Sequence, residues 1–218
     1  MDTTAFQLTV YNYQLSTAKF VSERKNFLPA APNKTAPISV IVNKGGEGMN
    51  DSELCERLDA VRGGDIMAFE EIYSDLKAPV MTVAMRITGD RHAAEDVLQE
   101  VFVRLYQSPP DPLIKKPRAY IFRMARNLAI DSIRVQQPLS LEDCEDFLQS
   151  NDPDTAGRLD IEAAMRLLPL EQRQVVSLHL NGGLKFREIA HITETPLGTV
   201  LWRYQKAIKR LQEILEVK

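Results

Sequence analysis

The chain has 218 residues, 44% of them hydrophobic and 26% charged, which is the composition of a globular protein with one or two hydrophobic cores. No apolar run approaches the ~20 residues of a membrane span, and the first residues lack a secretory leader pattern, so we expect a cytoplasmic protein without membrane insertion. The net charge of −3 hides two basic segments, residues 115–135 and 163–218, on either side of an acidic one. Because a phosphate backbone responds to charge within about 10 Å, nucleic acid remains open as a partner.

Residues 1–48 show no sustained helical period, contain three prolines and end in a glycine-rich stretch. We expect this N-terminal extension to be disordered or non-native and to lie outside any core. From Met49 onward, apolar residues recur at helical spacing and glycines interrupt the pattern. An all-α domain is therefore predicted over residues 49–135.

One helix of this domain, around Val97, has the clearest amphipathic pattern in the chain. Its apolar residues follow the i, i+3, i+4, i+7 template, and four polar residues fall largely on other faces: Glu95, Asp96, Gln99 and Glu100. The carboxylates of Glu95, Asp96 and Glu100 are better explained as an exposed partner-binding face than as a catalytic pair.

The helix that follows Pro117 combines cations with aromatic rings. Tyr120 and Phe122 lie beside arginines, and two lysines precede the helix. Such surfaces can hold unpaired strands, because rings stack on bases while cations neutralise phosphates. An aromatic residue at helical spacing more often belongs to a core, and we assign Phe122 there.

Residues 136–157 are acidic and rich in turn residues, which predicts a flexible linker to a second helical domain over residues 158–218. The last two predicted helices are joined by a short turn, as in a helix-turn-helix motif. The non-core face of the final helix carries donors and cations that can reach bases and phosphates. An ordinary basic C-terminal helix remains the alternative at this point.

Enzymatic chemistry has little support in the sequence. Cys55 and Cys144 lie far apart with no CxxC pair, and the three histidines, His92, His179 and His191, lack metal-ligand spacing. Phosphate-binding glycine motifs and nucleophile motifs are missing. We therefore predict a protein that is not an enzyme, with no catalytic residue, no metal site and no cofactor.

Three stretches in fixed order carry a family resemblance: residues 93–102 (AAEDVLQEVF), 125–134 (ARNLAIDSIR) and 198–200 (GTV). From residue 49 to about 215, the chain resembles a bacterial RNA polymerase sigma factor of the extracytoplasmic-function (ECF) type, in the sigma-70 family. The resemblance implies a first domain that binds core polymerase and melts the minus-ten element, and a second that reads the upstream promoter element. The implied partners are promoter DNA and the β′ coiled coil and β flap of the polymerase, and an anti-sigma factor remains open as a further one.

The resemblance also implies roles for individual residues. The residues expected to bind polymerase are Asp96, Gln99 and Glu100. The residues expected to bind minus-ten DNA are Lys115, Lys116, Arg118, Tyr120, Arg123, Arg126, Asn127 and Arg134. The residues expected to bind the upstream element are Thr199, Trp202, Arg203, Lys206 and Arg210.

Three sites along the chain depart from the family pattern. Tyr120-Ile121 stands where Trp-Leu is usual, which keeps an aromatic ring. Glu194 lies in the predicted helix-turn-helix turn, at a position that often needs a positive φ, so we expect strained backbone there. Leu201 and Trp202 begin the stretch where Lys-Ser-Arg-Leu is typical, so Trp202 could contact DNA or polymerase.

The predicted function is promoter recognition and assistance of promoter opening by a sigma factor. A stand-alone helix-turn-helix regulator is the alternative, but it explains only residues 163–218 and leaves the acidic and basic-aromatic helices without a function. A helical protein-interaction module is a second alternative, which would not bind DNA even with polymerase. The sequence does not reveal the promoter, the inducing signal or an anti-sigma factor.

Overall fold

The computed structural model describes residues 48–136 and 155–216, and within these ranges the chain is entirely helices and their connections. The helices, in chain order, are α1 (Asp51–Arg62), α2 (Ile66–Thr88), α3 (Arg91–Gln107), α4 (Pro117–Gln136), α5 (Thr155–Arg166), α6 (Leu170–Leu180), α7 (Phe186–Ile192) and α8 (Leu197–Glu216). The all-α prediction is confirmed. The predicted N-terminal extension, apart from residue 48, and most of the predicted linker lie outside the described residues.

Side chains and glycines set the ends of the first helices. Asn50 Oδ1 accepts hydrogen bonds from the backbone N–H groups of Ser52 and Glu53, and Asp65 caps α2 in the same way. Gly89 ends α2 in the left-handed conformation, with φ of 74°. Pro79, which suggests a kink or a restart, lies inside α2, and the helix continues to Thr88 because tertiary packing outweighs the lost hydrogen bond.

Helices α1 to α4 form a first bundle, in which α2 packs against the other three. The core side of α2 includes Leu76, Val80 and Val83, each fully buried. Phe122 of α4 is also fully buried, which confirms its assignment to the core. This packing fixes which sides of α3 and α4 remain available to partners.

Helices α5 to α8 form a second bundle, with α8 packed against the other three. Its core includes a cluster of six buried residues: Ala164, Met165, Leu168, Val176, Ala207 and Leu211. A ring cluster joins three helices, since His179 stacks on Phe186 with centroids 4.2 Å apart and Tyr204 meets both rings edge-on. Helices α7 and α8, joined by residues 193–196, are the predicted helix-turn-helix.

Both ends of the predicted linker lie in described helices. Helix α5 begins at Thr155 and α4 includes Gln136, so both ends of the predicted segment 136–157 are helical. Gly157 suggests a turn, but a single glycine inside a helix costs only about 1 kcal/mol and gives way to packing. Across the described ranges, no helix combines the length and apolarity needed to cross a membrane.

Candidate nucleic-acid and partner interfaces

The outer face of α3 carries the predicted partner-binding residues. Asp96 and Gln99 are exposed, whereas Val97 and Val101, on the inner face, are buried. Glu100 is half-buried and accepts a hydrogen bond from Arg104 Nε at 2.6 Å, an i,i+4 pair on the same helix. The structure therefore presents acidic and amide groups on a helix held rigidly from behind, as expected from the amphipathic pattern.

The predicted strand-binding helix, α4, is buried on one side and open on the other. Phe122, Ala125 and Ala129 are fully buried in the first bundle. Tyr120 is 39% exposed, and Asn127 is exposed, with its Oδ1 accepting a hydrogen bond from Arg126 Nη1 at 3.1 Å. An accessible ring beside amide and guanidinium donors can stack on a base and contact phosphate.

The remaining cations of this surface differ in how freely they face solvent. Lys115, Arg123 and Arg134 are exposed, and Arg134 lies 3.9 Å from Asp131. Lys116 Nζ lies 2.9 Å from Asp51 Oδ2, and this carboxylate raises the pKa of Lys116. Burial lowers the pKa of the Arg126 guanidinium, because charge is poorly solvated there.

Arg118 does not belong to the open surface. Its Nη2 donates to Asp75 Oδ2 at 2.9 Å and to the carbonyl oxygen of Met49 at 2.8 Å. The Arg118 and Asp75 side chains are only 19% and 20% exposed. The partner carboxylate, far away in sequence, neutralises this cation and fastens the start of α4 to α2, so Arg118 is less available to DNA than the exposed cations of the predicted set.

The outer face of α8 brings the predicted upstream-element residues together. Trp202 is 55% exposed, and Lys206 Nζ lies 4.7 Å from the centroid of its ring, a cation–π contact between i,i+4 residues. Arg203 is half-buried and donates from Nη1 to Thr195 Oγ1 at 3.5 Å. Thr199 is half-buried and Arg210 is exposed, so the set spans three turns of one helix face.

The turn before α8 contains the backbone strain that the comparison with the family pattern predicts. Glu194 has a φ of 52°, in the left-handed region, where the other described residues with positive φ are glycines. A side chain there crowds its own backbone, which costs roughly 1–2 kcal/mol. The helix-turn-helix geometry thus overrides the local preference of Glu194.

Contacts between the two bundles were not predicted from the sequence. Arg86 of α2 makes an ion pair with Glu162 of α5, with Nη2 2.7 Å from Oε1, and also donates to Asn181 at the end of α6. Arg173 of α6 donates to the carbonyl oxygen of Arg86. No local pattern signals such pairs, because the partners are more than 70 positions apart.

The three histidines occupy separate environments. His92 and His191 are exposed, whereas His179 belongs to the ring cluster and its Nδ1 lies 2.8 Å from the carbonyl oxygen of Leu184. In the described part of the chain, no three His, Cys, Asp or Glu side chains are grouped to hold a metal ion.

Two regions of the sigma-70 family match the chain, in the same order as its two bundles. Sigma-70 region 2 matches residues 72–138, and sigma-70 region 4 matches residues 158–211. The ECF RNA polymerase sigma factor SigW of Bacillus subtilis is 29% identical over 178 residues, covering 73% of this chain and 95% of its own length. SigE of Mycolicibacterium smegmatis, another ECF sigma factor, is 28% identical, covering 86% of this chain and 79% of its own.

Solved structures share the fold. The sigma factor RpoE of Bartonella quintana, in complex with the anti-sigma factor NepR, has a TM-score of 0.57 at 22% identity and covers 70% of this chain and 99% of its own. CnrH, in complex with the cytosolic domain of CnrY, has a TM-score of 0.55 at 20% identity. The match covers 75% of this chain and 97% of CnrH. Both sigma-70 regions are present, in order, on the two helical bundles, and the chain belongs to the ECF sigma factors of the sigma-70 family.

Proposed function

We propose that this sigma factor directs core RNA polymerase to specific promoters through three separate surfaces, and that it assists promoter opening without catalysing a reaction. The observation that carries the opening step is α4, where Tyr120 and Asn127 stay accessible on a helix whose opposite side is fully buried. A fixed helix can offer a stacking ring and hydrogen-bonding groups to a base once that base leaves the duplex. Unstacking costs a few kcal/mol, and capture of the released base offsets that cost.

Each surface acts at its own stage. Exposed cations on α8 contact phosphates and position the protein, while Thr199, Trp202 and Arg203 reach base edges of the upstream element in the major groove. The cations of α4, with Tyr120 and Asn127, then hold the minus-ten strand. Binding energy alone drives these steps, so no reacting group is required.

The outer face of α3 supplies the polymerase contact in this proposal. Asp96, Gln99 and Glu100 form an acidic and amide surface that suits a basic or hydrogen-bonding partner, here the β′ coiled coil, while the second domain docks on the β flap. The solved structures of RpoE and CnrH are complexes with NepR and CnrY, which supports an anti-sigma factor as a partner of this chain. The action belongs in the cytoplasm, where polymerase and promoter meet.

Transcription on a pre-melted promoter separates the two DNA surfaces. Asn127→Ala and Tyr120→Ala should bind the closed promoter normally and open it poorly, because their base contacts arise only after unpairing. Arg203→Ala should weaken closed-complex formation on duplex DNA and lower its salt dependence. A bubble template therefore rescues the α4 variants more than the Arg203 variant, as measured by permanganate reactivity and transcript yield with core polymerase.

The comparison carries its own control, since all three variants are tested on both templates. Equal rescue of the three would show that the roles of α4 and α8 are misassigned. Wild-type levels of transcription from all three would show that these residues do not carry the assigned roles, whereas failure of the wild-type chain to bind promoter DNA even with polymerase would favour the interaction-module alternative. Tight, sequence-specific duplex binding by the wild-type chain without polymerase would favour the stand-alone regulator.

A further inference from the structure

The outer face of α8 carries apolar side chains, two of which, Leu197 and Leu201, lie outside the predicted DNA-binding set. Leu197, Leu201 and Trp202 are 36%, 38% and 55% exposed, within the first turns of the helix. Leu197 and Leu201 are one turn apart, so they are neighbours on the helix surface, and Trp202 follows Leu201 directly. We call these three residues the α8 apolar patch. Large apolar side chains that stay exposed together typically mark a binding site.

Positive charge surrounds the α8 apolar patch. Lys206 Nζ lies 4.7 Å from the centroid of the Trp202 ring, so a ligand that touches this ring also meets an ammonium group. From residue 197 to residue 212 the helix contains no Asp or Glu, and its further cations are Arg203, Lys209 and Arg210. The carboxylates on either side each lie near a cation, Glu194 at 3.8 Å from Arg123 of α4 and Glu213 at 4.0 Å from Lys209. The patch therefore suits a ligand that combines apolar groups with negative charge.

Gly198 leaves open space beside Trp202. It precedes Trp202 by one helical turn, its φ is outside the left-handed region, and a Cβ added there would meet no atom within 4 Å. The fold of the free chain therefore does not require glycine at this position, and alanine would favour the helix more. A glycine on an exposed helix face allows a ligand to approach the backbone closely. We infer that the ligand approaches α8 on the side of Gly198 and Trp202.

Duplex DNA offers both apolar groups and negative charge in its major groove. Thymine presents its C5 methyl group there, whereas guanine, adenine and cytosine present hydrogen-bond donors and acceptors. Phosphates on both sides of the groove suit the cations of α8. A protein partner would also cover apolar side chains, but lysine is depleted in protein–protein interfaces, and here Lys206 lies against the Trp202 ring. The surroundings of the α8 apolar patch thus favour DNA as its ligand.

We propose that the α8 apolar patch selects thymine in the upstream element, with Leu201 packed against a thymine C5 methyl group and Leu197 and Trp202 beside it. Lys206 and the other cations of the helix bind the flanking phosphates and position the patch. The inference rests on the proposed contact between α8 and the upstream element, and it adds two residues and a base preference to that contact. A base without the methyl group loses the apolar contact and leaves Leu201 facing water.

The test removes the methyl group from the DNA and changes nothing else. Holoenzyme made from the full chain and core polymerase first selects duplex promoters from a library randomised in the upstream element. The selected duplex is then synthesised with either thymidine or deoxyuridine, which pair alike, at each thymine of that element. We expect wild-type holoenzyme to bind the deoxyuridine duplex about fourfold more weakly for each contacted methyl group, because burying one such group stabilises by about 0.8 kcal/mol. Fluorescence anisotropy measures both affinities.

Leu201→Ala tests whether this side chain makes the contact. The variant should bind the thymidine duplex more weakly and should lose most of the discrimination between thymidine and deoxyuridine. Leu201 is exposed, so we expect the variant to fold normally, and circular dichroism checks this.

Arg210→Ala is the matched control on the same helix. Because it removes a cation proposed to contact phosphate, it should weaken binding of both duplexes by the same factor and keep the full deoxyuridine penalty.

Three results would overturn thymine selection by the α8 apolar patch: a selected element without thymine, equal affinity of the wild type for the two duplexes, or a full deoxyuridine penalty in Leu201→Ala. A Leu201→Ala variant that binds core polymerase more weakly and keeps the full penalty would assign the patch to a protein contact instead. Selection of no upstream sequence by wild-type holoenzyme would count against the proposed contact between α8 and DNA itself, and thymine selection would fall with it.

Discussion

Glu194 shows how a single residue can oppose the local geometry that its motif imposes. Because its φ of 52° suits glycine, we expect Glu194→Gly to be more stable than Glu194→Ala by about 1 kcal/mol. Both changes remove the carboxylate near Arg123, so their difference isolates the backbone term. Urea unfolding of the two variants measures this difference in unfolding free energy. Equal midpoints would mean that the turn relaxes without losing stability.

Tyr204 links the stability of the second bundle to pH. Burial raises the pKa of its phenol above the usual value near 10, so the folded state favours the neutral form. The resulting stabilisation is present below about pH 10 and is lost as pH rises through the higher folded pKa. Tyr204→Phe keeps the ring contacts and removes this titration, so its melting temperature should fall less between pH 9 and 11 than that of the wild type.

The control for this experiment is Tyr120→Phe, at a ring that is 39% exposed on α4. That change should leave the alkaline loss of stability at its wild-type size. A Tyr204→Phe curve parallel to the wild type would contradict the link between Tyr204 burial and alkaline unfolding.

At the scale of the element, α3 separates binding from folding on its two faces. Asp96→Ala and Gln99→Ala should weaken polymerase binding about fivefold or more while leaving the melting temperature unchanged, because both side chains are exposed. Val101→Ala, at a fully buried position, should cost about 1–3 kcal/mol of folding free energy. Polymerase pull-downs and thermal melts on the three variants test whether α3 has a binding face and a core face. An Asp96→Ala variant that is destabilised but binds polymerase normally would contradict this division.

At the scale of the whole molecule, each bundle buries apolar residues of its own, and ion pairs and hydrogen bonds join the two. Leu168→Ala empties part of the second core and Leu76→Ala part of the first, and each should cost about 2–5 kcal/mol. Each change removes packing inside one bundle, so each should lower mainly the calorimetric transition of its own bundle. A single transition that shifts equally in both variants would show that the bundles unfold as one unit.

The sequence alone was enough to predict the helices and the sides of α3 and α4 that face the core, whereas the strained turn at Glu194 was predicted by comparison with the family pattern. These features depend on periodicity, turn chemistry and propensity, which act over a few neighbouring residues. The family resemblance added the order of the two sigma-70 regions, which the matches to residues 72–138 and 158–211 confirm. Residue types on a helix face were therefore well predicted, and the helix ends to within a few residues.

Only the tertiary structure decided which cations are free. Arg118 and Arg126 look alike in the sequence, yet one is neutralised by Asp75 and the other reaches across to Gln174. The pairing of Arg86 with Glu162 likewise joins residues 76 positions apart. Electrostatic partners depend on distance in space, and nothing in local periodicity encodes that distance, so the charge pattern predicted a basic surface but not the acidic groups that lie against it.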